Sequence, residues 1–394
     1  MMNAPLAGIK VIDWTHVLAG PACAYYLGQL GAEVIKVERP GRGDAMRHRG
    51  GSDQAQASAG ISTAFQTQGA GKRYLAVDVA DPDGHEVFTR LLCTADVLVE
   101  NHRPATLERL NLTERHTRAT NPRLIHCAMT GYGRDNPMSN APAYDVNIQA
   151  ISGLMALTGT SDTGPIRTGA PIIDYATGLT GALGVMSALM ARSQNGEGSF
   201  VDVSMLETAF TLMSSTITDF RLTGTPPQPR GNAANSRSPS AGTFPCWEGY
   251  ISLGVNEDAQ FHALAHAIGQ AAWLRNPQFA TPQSRDAHRE ALVEKLSAIL
   301  LTKSAADWED ILLSAGVPCA RVRTLADALD LPPAVDRGFA TRGPAGFTGL
   351  PFNVDTAVSN RGPSDMGTDS RSVLNELGYD EADISKLMKK RIVG

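Results

Sequence analysis

The sequence predicts an α/β protein: an open, mostly parallel sheet with helices between its strands, followed by a smaller α+β unit. Three observations carry this expectation. Between Gly8 and Arg134, short runs rich in β-branched residues alternate with longer stretches of helical spacing, the pattern of βα units. From Gly224 to Gly242 the chain is crowded with Pro, Gly, Asn, Ser and Arg and has little apolar periodicity, which marks a boundary. The 394 residues, 42% of them hydrophobic, exceed one ordinary domain and can fill two cores.

The strands, in order, are GIKVIDW (8–14), EVIKVE (33–38), YLAVDV (74–79), DVLVEN (96–101) and RLIHCAM (123–129). Residues 82–92 have helical spacing, with Val87, Phe88 and Leu91 on one face. Two helices rich in small residues follow, 146–157 and 175–191. The second carries an apolar face around Leu179, Leu183, Met186 and Met190, and its small residues allow close packing. FVDVSM (200–205) is a strand and 206–222 a helix. Beyond the boundary come a strand, GYISLGV, and helices at 258–269, 284–301 and 305–315, and a helical stretch at 370–391 returns to the first domain. The division is a large domain at 1–223, a linker and small domain at 224–325, and a returning segment at 326–394.

Composition excludes several function classes. The net charge of -5 is modest and the basic residues are scattered, so no stripe exists to track nucleic acid. Five cysteines, far apart and never C-x-x-C, argue against a disulfide framework or a zinc cage and for a reducing cytosol. Residues 1–10 lack a signal-peptide pattern, and no run approaches the roughly eighteen apolar residues of a membrane helix. His262 and His266, four apart, have no acidic residue suited to metal chemistry between them and no third ligand, so no metal is expected. Cys127, inside a strand, reads as a small core residue.

Motif spacing excludes more. GRGDAM has two of the three glycines that a dinucleotide loop needs. QTQGAGKRY has Gln66 and Arg73 where a phosphate loop needs Gly and Ser or Thr, and no G-x-S-x-G elbow exists. Three segments remain where polar groups join turns at the carboxyl ends of strands: 13–44, 99–110 and 141–183. They hold three candidate carboxylates, Asp145, Asp162 and Asp174. Asp174 opens a helix, and the plain alternative is that it serves as an N-cap.

On THVLAGPAC (15–23), the 99–110 segment and PIIDYATG (171–178), the chain resembles the class III coenzyme A transferases. That family includes formyl- and carnitine-coenzyme A transferases and is related to 2-methylacyl-coenzyme A racemases. The likeness runs from about Leu6 to Glu207 and more loosely beyond. It implies a Rossmann-like large domain with helices on both faces, formed by the N-terminal part and the returning segment, and two chains interlocked as a cytoplasmic homodimer.

By motif position the resemblance makes Asp174 the nucleophile. A carboxylate in the first turn of a helix is expected to be held ionised by free N–H groups and the positive helix end. Val17, Leu18, Ala19, Tyr144 and Asp145 would line the active site. Coenzyme A would meet His16, Arg39, Lys72, Arg73, Asn101, Arg109 and Leu110, the arginines offering paired hydrogen bonds to phosphate. No cofactor is held permanently; acyl-coenzyme A and small carboxylic acids are substrates.

Two departures shape the expected chemistry. Racemases of the superfamily carry His where this chain has Tyr144, and tyrosine is a weak base near neutral pH, which favours transfer over racemisation. The four-glycine lid of formyl-coenzyme A transferases is absent, since 230–244 reads RGNAANSRSPSAGTF. Formyl transfer is thereby disfavoured, and Arg230 or Arg237 could pair with a second carboxylate of a dicarboxylic acid such as succinate, itaconate, mesaconate or a malate relative. A coenzyme A-dependent racemase or isomerase and a non-catalytic acyl-coenzyme A binding protein are the competing classes.

Overall fold

The structure, a computed structural model, describes residues 4–234, 236, 238–353 and 359–394. Six strands, β1 (Lys10–Trp14), β2 (Glu33–Glu38), β3 (Arg73–Ala76), β4 (Val97–Glu100), β5 (Ile125–Thr130) and β6 (Phe200–Ser204), form one sheet in the order β3-β2-β1-β4-β5-β6. Every pairing is parallel. Such strands are covered on both sides, which is why they read as nearly unbroken apolar runs.

Alternate residues feed two cores. Ile12, Ile35, Leu75 and Leu98 meet Val87, Phe88 and Leu91 of the Pro82–Thr94 helix and Val373, Leu374, Ile384 and Leu387 of the last two helices. Val11, Val34, Val97 and Ile125 meet Cys23 and Leu27 of the first helix (Ala19–Gln29) and Ala182, Val185 and Ala188 of the long helix (Ile172–Asn195). The strand order reverses between β1 and β4, so the loops leaving those two strands part and open a crevice at the carboxyl edge.

The long helix corrects the sequence reading of its apolar face. Leu183 and Met190 are 69% and 66% exposed, and Leu179 is exposed as well. The inward face is built instead of Thr177, Gly178, Gly181, Ala182, Val185 and Ala188. Small residues win the inside because the first helix comes so near. A Cβ on Gly178 would stand 3.0 Å from the Ala19 carbonyl oxygen, and one on Gly181 3.1 Å from Cys23 Sγ. By length and composition alone this is also the one described helix apolar enough to cross a bilayer, which the criterion of an unbroken apolar run passed over.

The 146–157 stretch is two helices, Asp145–Ile151 and Leu154–Thr158, parted by Gly153 at φ +88°. The sheet's β3 edge is closed by the returning segment. Asp369 and Ser370 side chains accept the N–H groups of Tyr74 and Ala76, Gly394 donates to the Ala76 carbonyl, and Val77 bridges Val393.

The chain divides into two compact units: Met1–Met155, Arg167–Pro227 and Pro333–Gly394 in the first, Ala156–Ile166 and Gln228–Pro332 in the second. The excursion at Ala156–Ile166 has no local sign in the sequence. It belongs to the second unit through backbone bonds from Arg230 to Leu157 and from Gly231 to Gly159. The second unit has a three-stranded antiparallel sheet, β7 (Ala241–Pro245), β8 (Tyr250–Gly254) and β9 (Cys319–Arg321), packed through Phe244, Ile251 and Leu253 on Phe261, Leu296 and Trp308. Only β8 was visible in the sequence, because AGTFP and CAR are too short and too mixed for a period-2 pattern.

Candidate active site

At the crevice of the first unit lies a cavity of about 380 Å³. His16 to Ala19 line it after β1, and Asn101 to Arg103 and Thr106 after β4. Met129 to Gly131, the Ser139 to Tyr144 loop, Met205 and the side of Asp174 complete it.

The turn after β1 is held from beneath by buried charge. Asp13, fully buried, accepts the Thr15 hydroxyl and, at 2.7 Å, the Lys72 ammonium. Burial raises its pKa, but Lys36 and Lys72 together pull it below the ordinary value. Lys36 donates to the Thr15 carbonyl at 3.0 Å and pairs with Asp44 at 3.1 Å. Asp44 in turn accepts the Val17 N–H at 3.1 Å. Val17 has φ +71°, a left-handed conformation that a β-branched residue enters at a cost of about 1–3 kcal/mol. Beyond it the first helix starts with no side-chain cap and no acidic residue in its first turn. Among the described residues, the N–H groups of Leu18, Ala19 and Gly20 have no acceptor.

Asp174 stands in the first turn of the long helix and is partly buried. The N–H groups at this helix end are taken by another side chain. Asp145, 7% exposed, accepts from Ile173 N–H at 2.7 Å and Asp174 N–H at 3.2 Å through one oxygen, and from the Gln149 amide at 2.6 Å through the other. The expectation that the helix end keeps Asp174 ionised is therefore corrected. Burial, and secondarily the negative charge of Asp145, push its pKa up to about 7. Asp145, expected to line the site, is not among the residues that line the cavity, and both its oxygens accept hydrogen bonds.

The other expected residues divide sharply. His16, Val17, Leu18, Ala19, Asn101 and Tyr144 line the cavity. Asn101 uses both ends of its amide on the His16 backbone, accepting the N–H at 3.0 Å and donating to the carbonyl at 2.8 Å, so it shapes the turn. Tyr144 is 57% exposed. Lys72 and Arg73, expected at the coenzyme, are occupied elsewhere. Lys72 is sealed beneath the turn on Asp13 and the Pro21 carbonyl, and Arg73 bridges Glu33 and Glu376. Arg39 is exposed and paired with Asp78, Arg109 is exposed, and Leu110 packs against the core; none lines the cavity. Asp162 sits in the exposed turn from Thr160 to Gly164. Arg230 lies in the second unit, and Arg237 falls outside the described residues.

Among the lining residues that the sequence reading missed, two carry basic side chains, His102 and Arg103. His102 rests its ring 4.0 Å from that of Trp14, and burial lowers its pKa to about 4, so it is neutral at pH 7. Its Nε2 is buried without a partner among the described residues. Arg103 also lines the cavity, exposed and without an ion-pair partner among the described residues. Both could have been found, because they leave β4 at the point where the sheet reverses direction.

The cavity thus sets one carboxylate of raised pKa against a helix start with free N–H groups and a rim carrying Arg103. The model of CoA-transferase family III matches residues 6–364. The chain belongs to that family. This class III CoA-transferase is 31% identical to the mouse succinyl-CoA:glutarate CoA-transferase over 99% of its own length and 90% of the relative's. It is likewise 31% identical to the succinyl-CoA–D-citramalate CoA-transferase of Chloroflexus aurantiacus, over 99% and 98%. Its fold matches the crystal structure of a CAIB/BAIF family protein from Brucella suis with a TM-score of 0.83 at 30% identity, covering 95% of this chain and 100% of that one.

Proposed function

We propose that this CoA-transferase moves coenzyme A from an acyl-coenzyme A donor to a short dicarboxylic acid, with Asp174 as nucleophile. The observation that carries the reading is a partly buried carboxylate in the same cavity as the free N–H groups of Leu18 and Ala19. An Asp174 oxygen attacks the thioester carbon and the thiolate leaves, giving a mixed anhydride. The thiolate then attacks the Asp174 side of that anhydride, the donor acid departs as its carboxylate, and an aspartyl thioester remains. The acceptor carboxylate attacks that thioester, the thiolate leaves again, and its return to the acceptor's acyl carbon releases the new thioester and regenerates Asp174. Each tetrahedral oxyanion needs preorganised donors, and the Leu18 and Ala19 N–H groups are suited to the task.

Succinate, glutarate and D-citramalate, named for the relatives, support a dicarboxylate; itaconate, mesaconate and malate belong to the same chemical set. Arg103 at the rim, with the exposed Arg39 and Arg109, offers charge for the coenzyme phosphates. The exposed Leu179, Leu183 and Met190 favour a homodimer that covers this face of the long helix, and the family relationship favours the cytoplasm.

The test is incubation with succinyl-coenzyme A and a panel of dicarboxylic acids, with products read by mass spectrometry. New acyl-coenzyme A species that vanish in Asp174→Ala are expected. Deuterium entering the 2-carbon of a branched acyl-coenzyme A would mark a racemase instead, and tight binding without exchange a binding protein.

A further inference from the structure

We propose that Asp44, paired with Lys36, is a positioning residue for acyl transfer, holding Val17 in its left-handed conformation so that the turn after β1 keeps its shape beside Asp174. The inference rests on the reading of Asp174 as nucleophile.

Two consecutive peptide units, Thr15–His16 and His16–Val17, are gripped by side chains that arrive from elsewhere in the chain. Lys36, from β2, takes the Thr15 carbonyl at 3.0 Å. Asn101, just after β4, takes both the N–H and the carbonyl of His16. Asp44 takes the Val17 N–H at 3.1 Å, and its second oxygen lies 3.1 Å from the Lys36 ammonium. Asp44 is itself only 3% exposed and is fixed from behind, its own N–H donating to Glu38 at 2.8 Å. Each of these two peptide planes is therefore held at both its carbonyl and its N–H.

Such a grip is needed because Val17 cannot stay at φ +71° unaided. A β-branched side chain is crowded there, and such a conformation persists only where the surroundings over-determine it. Nor is stability a sufficient reason for the charges. β1 and β2 already share a parallel ladder from Lys10 to Asp13, and a buried ion pair adds little net stability to strands already joined. What Lys36 and Asp44 add is geometry. If Val17 relaxed to negative φ, the peptide that follows would rotate, and the Leu18 and Ala19 N–H groups with it, away from the cavity they share with Asp174. Displacements near 1 Å at a reacting centre cost about 10²-fold in rate.

The experiment compares wild type, Asp44→Asn, Asp44→Ala and Asp44→Ala/Val17→Gly, using succinyl-coenzyme A and glutarate and reading kcat and KM separately. Asp44→Ala should lose about 10²-fold in kcat with both KM values little changed. Asp44→Asn, which keeps an oxygen for the Val17 N–H, should retain most of kcat. Adding Val17→Gly to Asp44→Ala should restore part of the loss, since glycine holds positive φ without help. An unchanged kcat in Asp44→Ala, an equal loss in Asp44→Asn, or no recovery in the double variant would each overturn the proposal. A second measurement stands whether or not Asp44→Ala folds: Val17→Gly should melt at a higher temperature than Val17→Ala, because alanine keeps the crowding and glycine removes it. The reverse order would also overturn the proposal. Absence of transfer by wild type on every acid tried would instead sink the functional reading, and the melting order would still report on the turn.

Discussion

The carboxylate of Asp145 accepts the backbone N–H of Asp174 at 3.2 Å across a separation of 29 residues, so one acid anchors the helix end from which the other projects. Two like charges at one helix end cannot both ionise freely. Three hydrogen bonds fix the Asp145 oxygens, and the pKa of Asp174 is raised by burial and then by the Asp145 charge.

A rising pH profile follows. With its pKa pushed up to about 7, Asp174 is half protonated at neutrality in the free enzyme, and only the carboxylate attacks. The value of kcat/KM should climb about tenfold per pH unit below 7 and flatten above it. Steady-state rates across this range check it, and a flat profile would contradict the environment described for Asp174.

The same displacement makes the nucleophile a liability for folding. A carboxyl whose folded pKa is raised from 3.8 to about 7 leaves stability intact below pH 3.8, erodes it as pH climbs between those values, and exerts its full cost above 7. Asp174→Asn should therefore stabilise the protein at pH 8 and do little at pH 4. Three units would be roughly 4 kcal/mol, which partial exposure reduces to about 1–2 kcal/mol. Urea unfolding at the two pH values measures it; equal effects at both would show that charge is not the cause.

Asp145→Asn removes the neighbouring negative charge and keeps an oxygen for the Ile173 and Asp174 N–H groups. The limb of the pH profile should then move to lower pH, by less than the whole displacement, since burial is the larger cause. A limb that stays in place would leave burial as the only contributor.

Lys72→Met should act on stability and leave coenzyme A recognition alone. The ammonium lies 2.7 Å from fully buried Asp13, and removing one partner of a buried pair costs about 3–5 kcal/mol. Melting curves with KM for the acyl-coenzyme A decide it: a raised KM at unchanged stability would return Lys72 to the ligand.

The legible and illegible parts of this protein separate by range of interaction. β1, β2, β4 and β5 stood out because strands buried on both faces leave long apolar runs, and β2 was bounded correctly to the residue. β7 and β9 were not, since their pairing depends on a partner 5 to 70 residues away and on little local pattern. In the site, the segment from His16 to Ala19 and Asp174 were reached through motif likeness, whereas the electrostatics of Asp174 were misjudged. A helix start looks vacant in sequence; that Asp145 fills it is a tertiary fact. The Lys72–Asp13 pair was hidden for the same reason, because nothing nearby in the chain announces Asp13 beneath it.

Because the contacts that close the β3 border come from Asp369, Ser370, Val393 and Gly394, they can form only after the residues beyond Pro332 have been synthesised. The inserted unit, whose residues end at Pro332, is finished earlier and can fold first. The host is thus the later of the two to mature, and shortening or burdening the tail would be felt as an unprotected strand prone to pairing with other chains.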